Sequence, residues 1–306
     1  DVFLSNNKSW FVSDNKIITK EKNLYVTKSV TFPKEKTKIQ SIAIYNSIKF
    51  FGTNHGLFSR RNNEKLSQIS SRNIFSINRL KSGEILVGTK QGAYSLKNKS
   101  LTSYQPLGNE YVSLKKTPIK DIEVVSNNEV WFSTFGSGIY LHDPGTFKNF
   151  TKENGLDPGG MIYDIEFIDG SFFIATSNGL FNFRDNKIEG HFTKNNGLLS
   201  NKILDLSSDS NGNLWMATSR GLSMYNGTLF ENYTRNNGLP SNLITCVQVD
   251  NQDDSVIWSG STNAGLTKFD KNGFYTYDVQ DGLPSNTIRA LDQKQNGELI
   301  IACYTK

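Results

Sequence analysis

The chain has 306 residues, 36% of them hydrophobic and 12% aromatic, enough apolar material for a sizeable core, which excludes a disordered protein. Its formal charge of +5 is scattered. The densest clusters, Lys34 to Lys38 and Lys115–Lys116, lack the basic stripe with interleaved aromatics that marks a nucleic-acid binder, and no apolar run is long enough to span a membrane.

In chain order, the N-terminal segment offers two to three strands, SWFVSD, KIITK and NLYVTK. From about residue 40 one phrase recurs. It reads FFGTNHGLFSR from Phe50, ILVGTKQGAYSL from Ile85 and VWFSTFGSGIYLHDPG from Val130. It returns as FFIATSNGLFNF from Phe172, NLWMATSRGLSMYNG from Asn213 and IWSGSTNAGLTKF from Ile257. The aligned glycines are Gly56, Gly92, Gly138, Gly179, Gly221 and Gly265, spaced by about 36 to 46 residues. A second phrase falls between the later copies: NNGLLSNKI from Asn195, NNGLPSNLI from Asn236 and DGLPSNTI from Asp281, with a weaker NGLDPGGMI from Asn154.

Each unit reads as four strands. Around Trp215 these are ILDLSS, LWMAT, LSMY and LFENYT. The DSNGN turn carries an Asn-Gly pair suited to a tight hairpin, and Gly221 falls where a positive φ is needed. Short strands at even spacing, four to a unit and with no helical period, select an all-β fold, a β-propeller. Six units are complete between about residues 40 and 278, and TIRALDQKQNGELIIACYT supplies two more strands. The expectation is one propeller over residues 1–306 with seven four-stranded antiparallel blades, the two termini sharing the closing blade. Eight blades is the alternative. Trp131, Trp215 and Trp258 share one repeat position and are expected to be buried between blades. Cys246 and Cys303 lie in apolar runs and are expected to be buried free thiols.

The paired phrases GLPSN…I and LWMAT..GL..Y resemble the two-component regulator propeller repeat of the periplasmic sensor regions of hybrid histidine kinases, especially in Bacteroidetes. The resemblance is best over about residues 150–300 and weaker over 40–150. There Gly92-Ala93 and Gly138-Ile139 replace the usual Gly-Leu, and the first units lack GLPSN. It implies a periplasmic or otherwise extracytoplasmic ligand-sensing module, often for oligosaccharides. Such receptors carry two propellers, a small β-sandwich, a membrane helix and a kinase, so the chain is expected to be a fragment of one or a stand-alone relative. The partners implied are a small-molecule or oligosaccharide ligand, a second propeller and a homodimer partner, with no nucleic acid and no membrane contact by this segment. Two other readings compete: a protein-interaction scaffold at the cell envelope, and an enzyme like the streptogramin lyases.

No catalytic residue, cofactor or metal is expected. His55, His142 and His191 fall at different places in their repeats, and no zinc, nucleophile-elbow or phosphate-loop motif is present. A lyase would need a histidine and an acid at the channel mouth, and only His55 is placed on that face. Asp121, Asp164 and Asp205 share one position on the first strand of three successive units, replaced later by Cys246 and Ala290. Their expected role is structural, each accepting a neighbouring backbone N–H. The candidate ligand contacts are His55, Gln91, Ser137, Asn178, Arg220 and Asn263, which vary between copies of the link between second and third strands. Arg220 is the first choice, because a guanidinium grips carboxylates or vicinal hydroxyls in a fixed fork.

Overall fold

The computed structural model describes residues 9–303 apart from 14–15, 22–23, 30–31, 35–36, 46–47, 62–63, 81, 105–113, 115, 127–128, 144–145, 186, 294–296 and 298. Lys36 and Lys115 of the two basic clusters, and the turn at residues 14–15 between the first two expected strands, lie outside the described residues.

Six four-stranded antiparallel sheets follow one another along the chain, each ordered as its strands occur in sequence. We call them blades I (residues 39–70), II (74–103), III (119–150), IV (162–192), V (203–233) and VI (244–277). Blade V shows how the repeat builds a sheet. Its strands are Ile203–Ser208, Leu214–Thr218, Gly221–Tyr225 and Phe230–Tyr233. In the first turn the Asp209 carboxylate accepts the N–H groups of Asn211 and Asn213 at 3.0 and 2.9 Å, and Gly212 takes φ 80°. Every residue of the second and third strands is buried, whereas the fourth strand is not. One sheet cannot cover both its faces, so these apolar runs need a neighbour on each side.

The described residues divide into two compact units, one comprising 30–162, the other 1–29 with 163–306. In the first, Ala43, Phe50 and Leu57 of blade I pack with Ile74, Ile77 and Val87 of blade II. Leu86 and Ala93 of blade II pack with Ile119, Ile122, Val130 and Phe132 of blade III. In the second, Phe173, Ala175 and Leu180 of blade IV meet Ile203, Leu206 and Met216 of blade V. Trp215 and Leu222 of blade V meet Ile244, Val247 and Ile257 of blade VI.

The expected four-stranded closing blade is not matched strand for strand. Ile288–Gln293 pairs with Leu299–Cys303, and Ser9–Ser13, Lys16–Glu21 and Leu24–Ser29 form a separate three-stranded sheet. Ser9–Ser13 lies beside Leu299–Cys303, so the first and last described strands do meet, but the two sheets together hold five strands. The first forty residues do not show the recurring phrases clearly, although SWFVSDNKII resembles the second strand and link of a unit, so the four-strand spacing is weakly dictated there. Trp131 and Trp215 are buried, at 1% and 7% exposure. Trp258 departs from the expectation: it packs against the Ile288 and Ile301 cluster but is only partly buried, its Nε1–H donating to Asp250 Oδ2 at 2.9 Å. Cys246 and Cys303 are free and buried as expected, and burial pushes the Cys303 thiol up to about 11.

Candidate functional site

Each link between second and third strands is built by one hydroxyl. The second strand ends on Thr53, Thr89, Thr134, Thr176, Thr218 or Ser261, and that side chain donates to the carbonyl of the aligned glycine at 2.7–3.2 Å. The same oxygen accepts the N–H of His55, Gln91, Ser137, Asn178, Arg220 or Ala264 at 2.8–3.1 Å. Five of the six candidate contacts are thus held at one equivalent point by the same local lock. In blade VI the lock falls on Ala264, and Asn263 precedes it. The signal was in the sequence, a Thr or Ser three or four residues before every aligned glycine. Gly221 adopts φ 142°, and a Cβ there would lie 2.3 Å from the Tyr233 carbonyl oxygen.

The GLPSN-type phrase builds a second link. Thr193, Thr234 and Asp278 each cap a single 3-10 turn, closed by Gly197, Gly238 or Gly282 in the left-handed conformation. In the unit containing blades IV to VI this link is fastened to the first. The Gly179 N–H donates to Asn201 O at 2.7 Å and the Gly265 N–H to Asn286 O at 2.9 Å. The Ser200 and Ser219 hydroxyls are 2.8 Å apart, and Ser241 Oγ donates to Asn263 Oδ1 at 3.0 Å. Both link types therefore converge at one end of these blades. Arg220 and Asn263 are exposed there and Asn178 is half-buried.

Several neighbours escaped sequence reasoning. Lys202 and Leu243 follow the GLLSN and GLPSN phrases and are exposed, and Lys202 Nζ lies 5.6 Å from the centre of the Tyr163 ring. In the unit of blades I to III, Phe135 of the blade III link meets Phe75 at 4.9 Å between ring centres. Phe75 occupies a β-bulge near the start of its strand, a register shift repeated in blades I, III, V and VI. Bulges re-aim side chains beside sites, and nothing in the residue pattern marks them. In the same unit Arg72 lies 4.6 Å from the Tyr94 ring centre, and His55 Nδ1 is 3.2 Å from Thr37 Oγ1.

The placement of histidines needs correction. His191 Nε2 lies 2.6 Å from Asn178 O and the ring stacks on Phe181 at 4.0 Å, so His191 also reaches a link. It arrives from the outer strand of blade IV, across a ladder that the repeat position did not reveal. His142 is bonded to the Tyr104 hydroxyl at 2.6 Å, and burial lowers its basicity. Among the described residues no histidine is bonded to a carboxylate, and no three His, Cys, Asp or Glu side chains are grouped to hold a metal ion.

The aspartates have the hydrogen-bonding role expected of them, Asp121 through the backbone N–H of Ile122. Asp164 Oδ2 accepts the Leu206 N–H at 2.9 Å and Asp205 Oδ2 the Val247 N–H at 2.8 Å. Glu166, which the position pattern missed, accepts from the Ser208 N–H and hydroxyl at 3.0 and 2.6 Å. Burial raises Asp121; burial, then the neighbouring Asp164 carboxylate, hold Asp205 well above the usual carboxylate range.

A raised carboxyl favours the folded state when protonated. The stability it contributes is complete below the ordinary value near ~4 and is lost as pH rises through the raised one. Asp205→Asn retains an acceptor for Val247 and cannot ionise. Relative to the parent it is expected to gain stability from pH 4 to pH 7, by ~1.4 kcal/mol for each unit by which the carboxyl is raised. Urea unfolding of both proteins at the two pH values measures this, and an offset independent of pH would contradict it.

Residues 197–220 match the family model described as two component regulator propeller. The chain carries this regulator propeller repeat. Its fold is similar to the extracellular domain of a putative hybrid two component system from B. thetaiotaomicron, at 21% identity and a TM-score of 0.57. That match covers 99% of this chain and 44% of the other, so the chain spans less than half of that protein's length. BamB from Moraxella catarrhalis matches at 13% identity, covering 98% of this chain and 90% of its own, with a TM-score of 0.64. Virginiamycin B lyase from Staphylococcus aureus matches at 14% identity, covering 85% and 90%, with a TM-score of 0.61. No curated protein sequence matches the chain. The likenesses establish the fold as a β-propeller. No helix of the described residues is long and apolar enough to cross a membrane.

Proposed function

We propose that the chain is the ligand-recognition propeller of an extracytoplasmic two-component receptor, and that an oligosaccharide-class ligand sits where the two link types meet. The observation that carries this reading is that the matched repeat spans both link types at the end of the blades where they converge. The matched segment opens at Gly197 in one link, closes at Arg220 in the other, and is joined to itself by the Ser200–Ser219 contact. The lock described above holds the main chain of every link alike while the side chain it presents changes from blade to blade. A repeated scaffold thereby offers an asymmetric surface, as recognition of a particular ligand requires. The kinase, a membrane helix, a second propeller and a homodimer partner belong to the same proposal, as parts of the receptor outside this segment.

The segment itself is read as a binder without catalysis. A glycan-array or thermal-shift screen is expected to find a ligand. Arg220→Ala should then weaken its binding about tenfold or more, ~1.4 kcal/mol. Unchanged affinity in Arg220→Ala, with loss of binding on changing the opposite end of the blades, overturns the placement. A stable protein complex in place of any small ligand overturns the sensor reading in favour of a scaffold.

A further inference from the structure

A second concave site lies away from the links, wholly within the unit of blades I to III. It is a cavity of about 330 Å³, at the small end of the range for ligand pockets. Arg60, Arg61, Glu64, Lys65 and Ser67 line it from blade I, and Lys99 from blade II. The topology puts it at the end of the sheets opposite the links. Arg60 and Arg61 end the third strand that Gly56 begins, Ser67 begins the fourth, and Lys99 sits in the turn between the third and fourth strands of blade II.

Its chemistry is one-sided. Four cationic side chains face the cavity against one carboxylate, and no ion pair among the described residues engages any of the five. Arg60 adds an independent observation. Its Nε is buried and has no hydrogen-bond partner among the described residues. A buried guanidinium N–H without a partner is costly, and a guanidinium is the side chain best matched to a planar or tetrahedral oxyanion. The Lys99 backbone points the same way. Asn98 and Lys99 both lie at positive φ, 49° and 60°, the turn position where glycine relieves strain, yet a lysine that lines the cavity is held there. A chance surface would disperse like charges, because close cations repel unless an anion lies between them.

We propose that this cavity is an oxyanion-binding site for a small ligand carrying a sulfate or phosphate ester, separate from the rim between the links. Arg60 would grip two oxygens of the ester through its fork, while Lys65 and Lys99 neutralise the remaining charge from the exposed side. Serine hydroxyls at the wall suit the polar body of such a ligand.

The experiment is calorimetric titration of the full chain with inorganic sulfate and with inorganic phosphate, at ionic strength held constant with chloride. Saturable binding of at least one anion is expected, and the tighter of the two identifies the ester. Arg60→Gln should weaken it about tenfold or more. Lys65→Gln with Lys99→Gln, both exposed and tolerant of change, should weaken it by a similar factor in a protein that still melts cooperatively. Arg220→Ala should leave it unchanged, which separates this site from the rim. Absence of saturable binding by either anion, or parent-like affinity in the double lysine variant, overturns the proposal.

Discussion

Trp215→Ala is expected to destabilise the protein by about 3–5 kcal/mol, in the range for deleting a large buried aromatic. The indole is buried among Leu222, Leu239, Ile244, Val247 and Ile257, so it belongs to two blades at once. It stacks on Tyr233 at 5.8 Å between ring centres and meets Phe269 edge-on at 5.9 Å. Its Nε1–H is buried without a partner among the described residues, so the contribution is packing alone. Trp215→Phe should therefore cost much less, about 1–2 kcal/mol, since no hydrogen bond is lost and much of the ring contact remains. Denaturant unfolding of the three proteins measures both steps. A loss below about 1 kcal/mol for the alanine variant would mean that the ring does not bridge the blades.

Gly221→Ala is expected to cost about 3 kcal/mol or more. Two effects add. The residue sits at φ 142°, a region that L side chains rarely adopt, for about 1–3 kcal/mol of strain. The new Cβ would also meet the Tyr233 carbonyl oxygen at 2.3 Å and Leu199 Cδ2 at 2.6 Å, and the first of these is backbone that cannot swing aside. Gly227→Ala is the control, because it also has positive φ, 91°, but nothing within 4 Å of its added Cβ. It should show strain without collision. Melting temperatures of the two variants separate the terms, and equal losses would rule out the close approach. Because the Arg220 link ends on this glycine, ligand affinity should fall with Gly221→Ala as well.

The residues that repeat were legible, and the residues that meet across repeats were not. Six blades, the aligned glycines and the link positions follow from a local period, because hairpin geometry is set by a few neighbouring residues. Asp205 illustrates the limit. Its position on the first strand was visible, but not that its acceptor reaches the amide of Val247, 42 residues on. Phe75 and Phe135 share no phrase, and only the bulge and the blade III link bring them into contact. The cavity lined by Arg60, Lys65 and Lys99 draws on two blades through residues that read as an ordinary basic surface in sequence. The terminal strands were legible one by one, but not their grouping into sheets, because without a clear repeated phrase there was no period to extrapolate.

The hydrogen bonds between first strands differ in polarity from one junction to the next. From blade IV to V and from V to VI, a carboxylate on the earlier strand accepts a backbone N–H on the later one. From blade VI to the C-terminal strands, the Thr245 hydroxyl donates to the Ile288 carbonyl at 2.7 Å. From blade II to III, the Asn78 amide donates to the Ile122 carbonyl at 2.9 Å. The two kinds of junction ask different things of the following strand, a backbone N–H where the side chain accepts and a backbone carbonyl where it donates. The edges of successive blades are thus cut in two patterns, like adjacent key teeth. A chain with blades II and V transposed would keep its composition and yet place a donating side chain where an accepting one now stands.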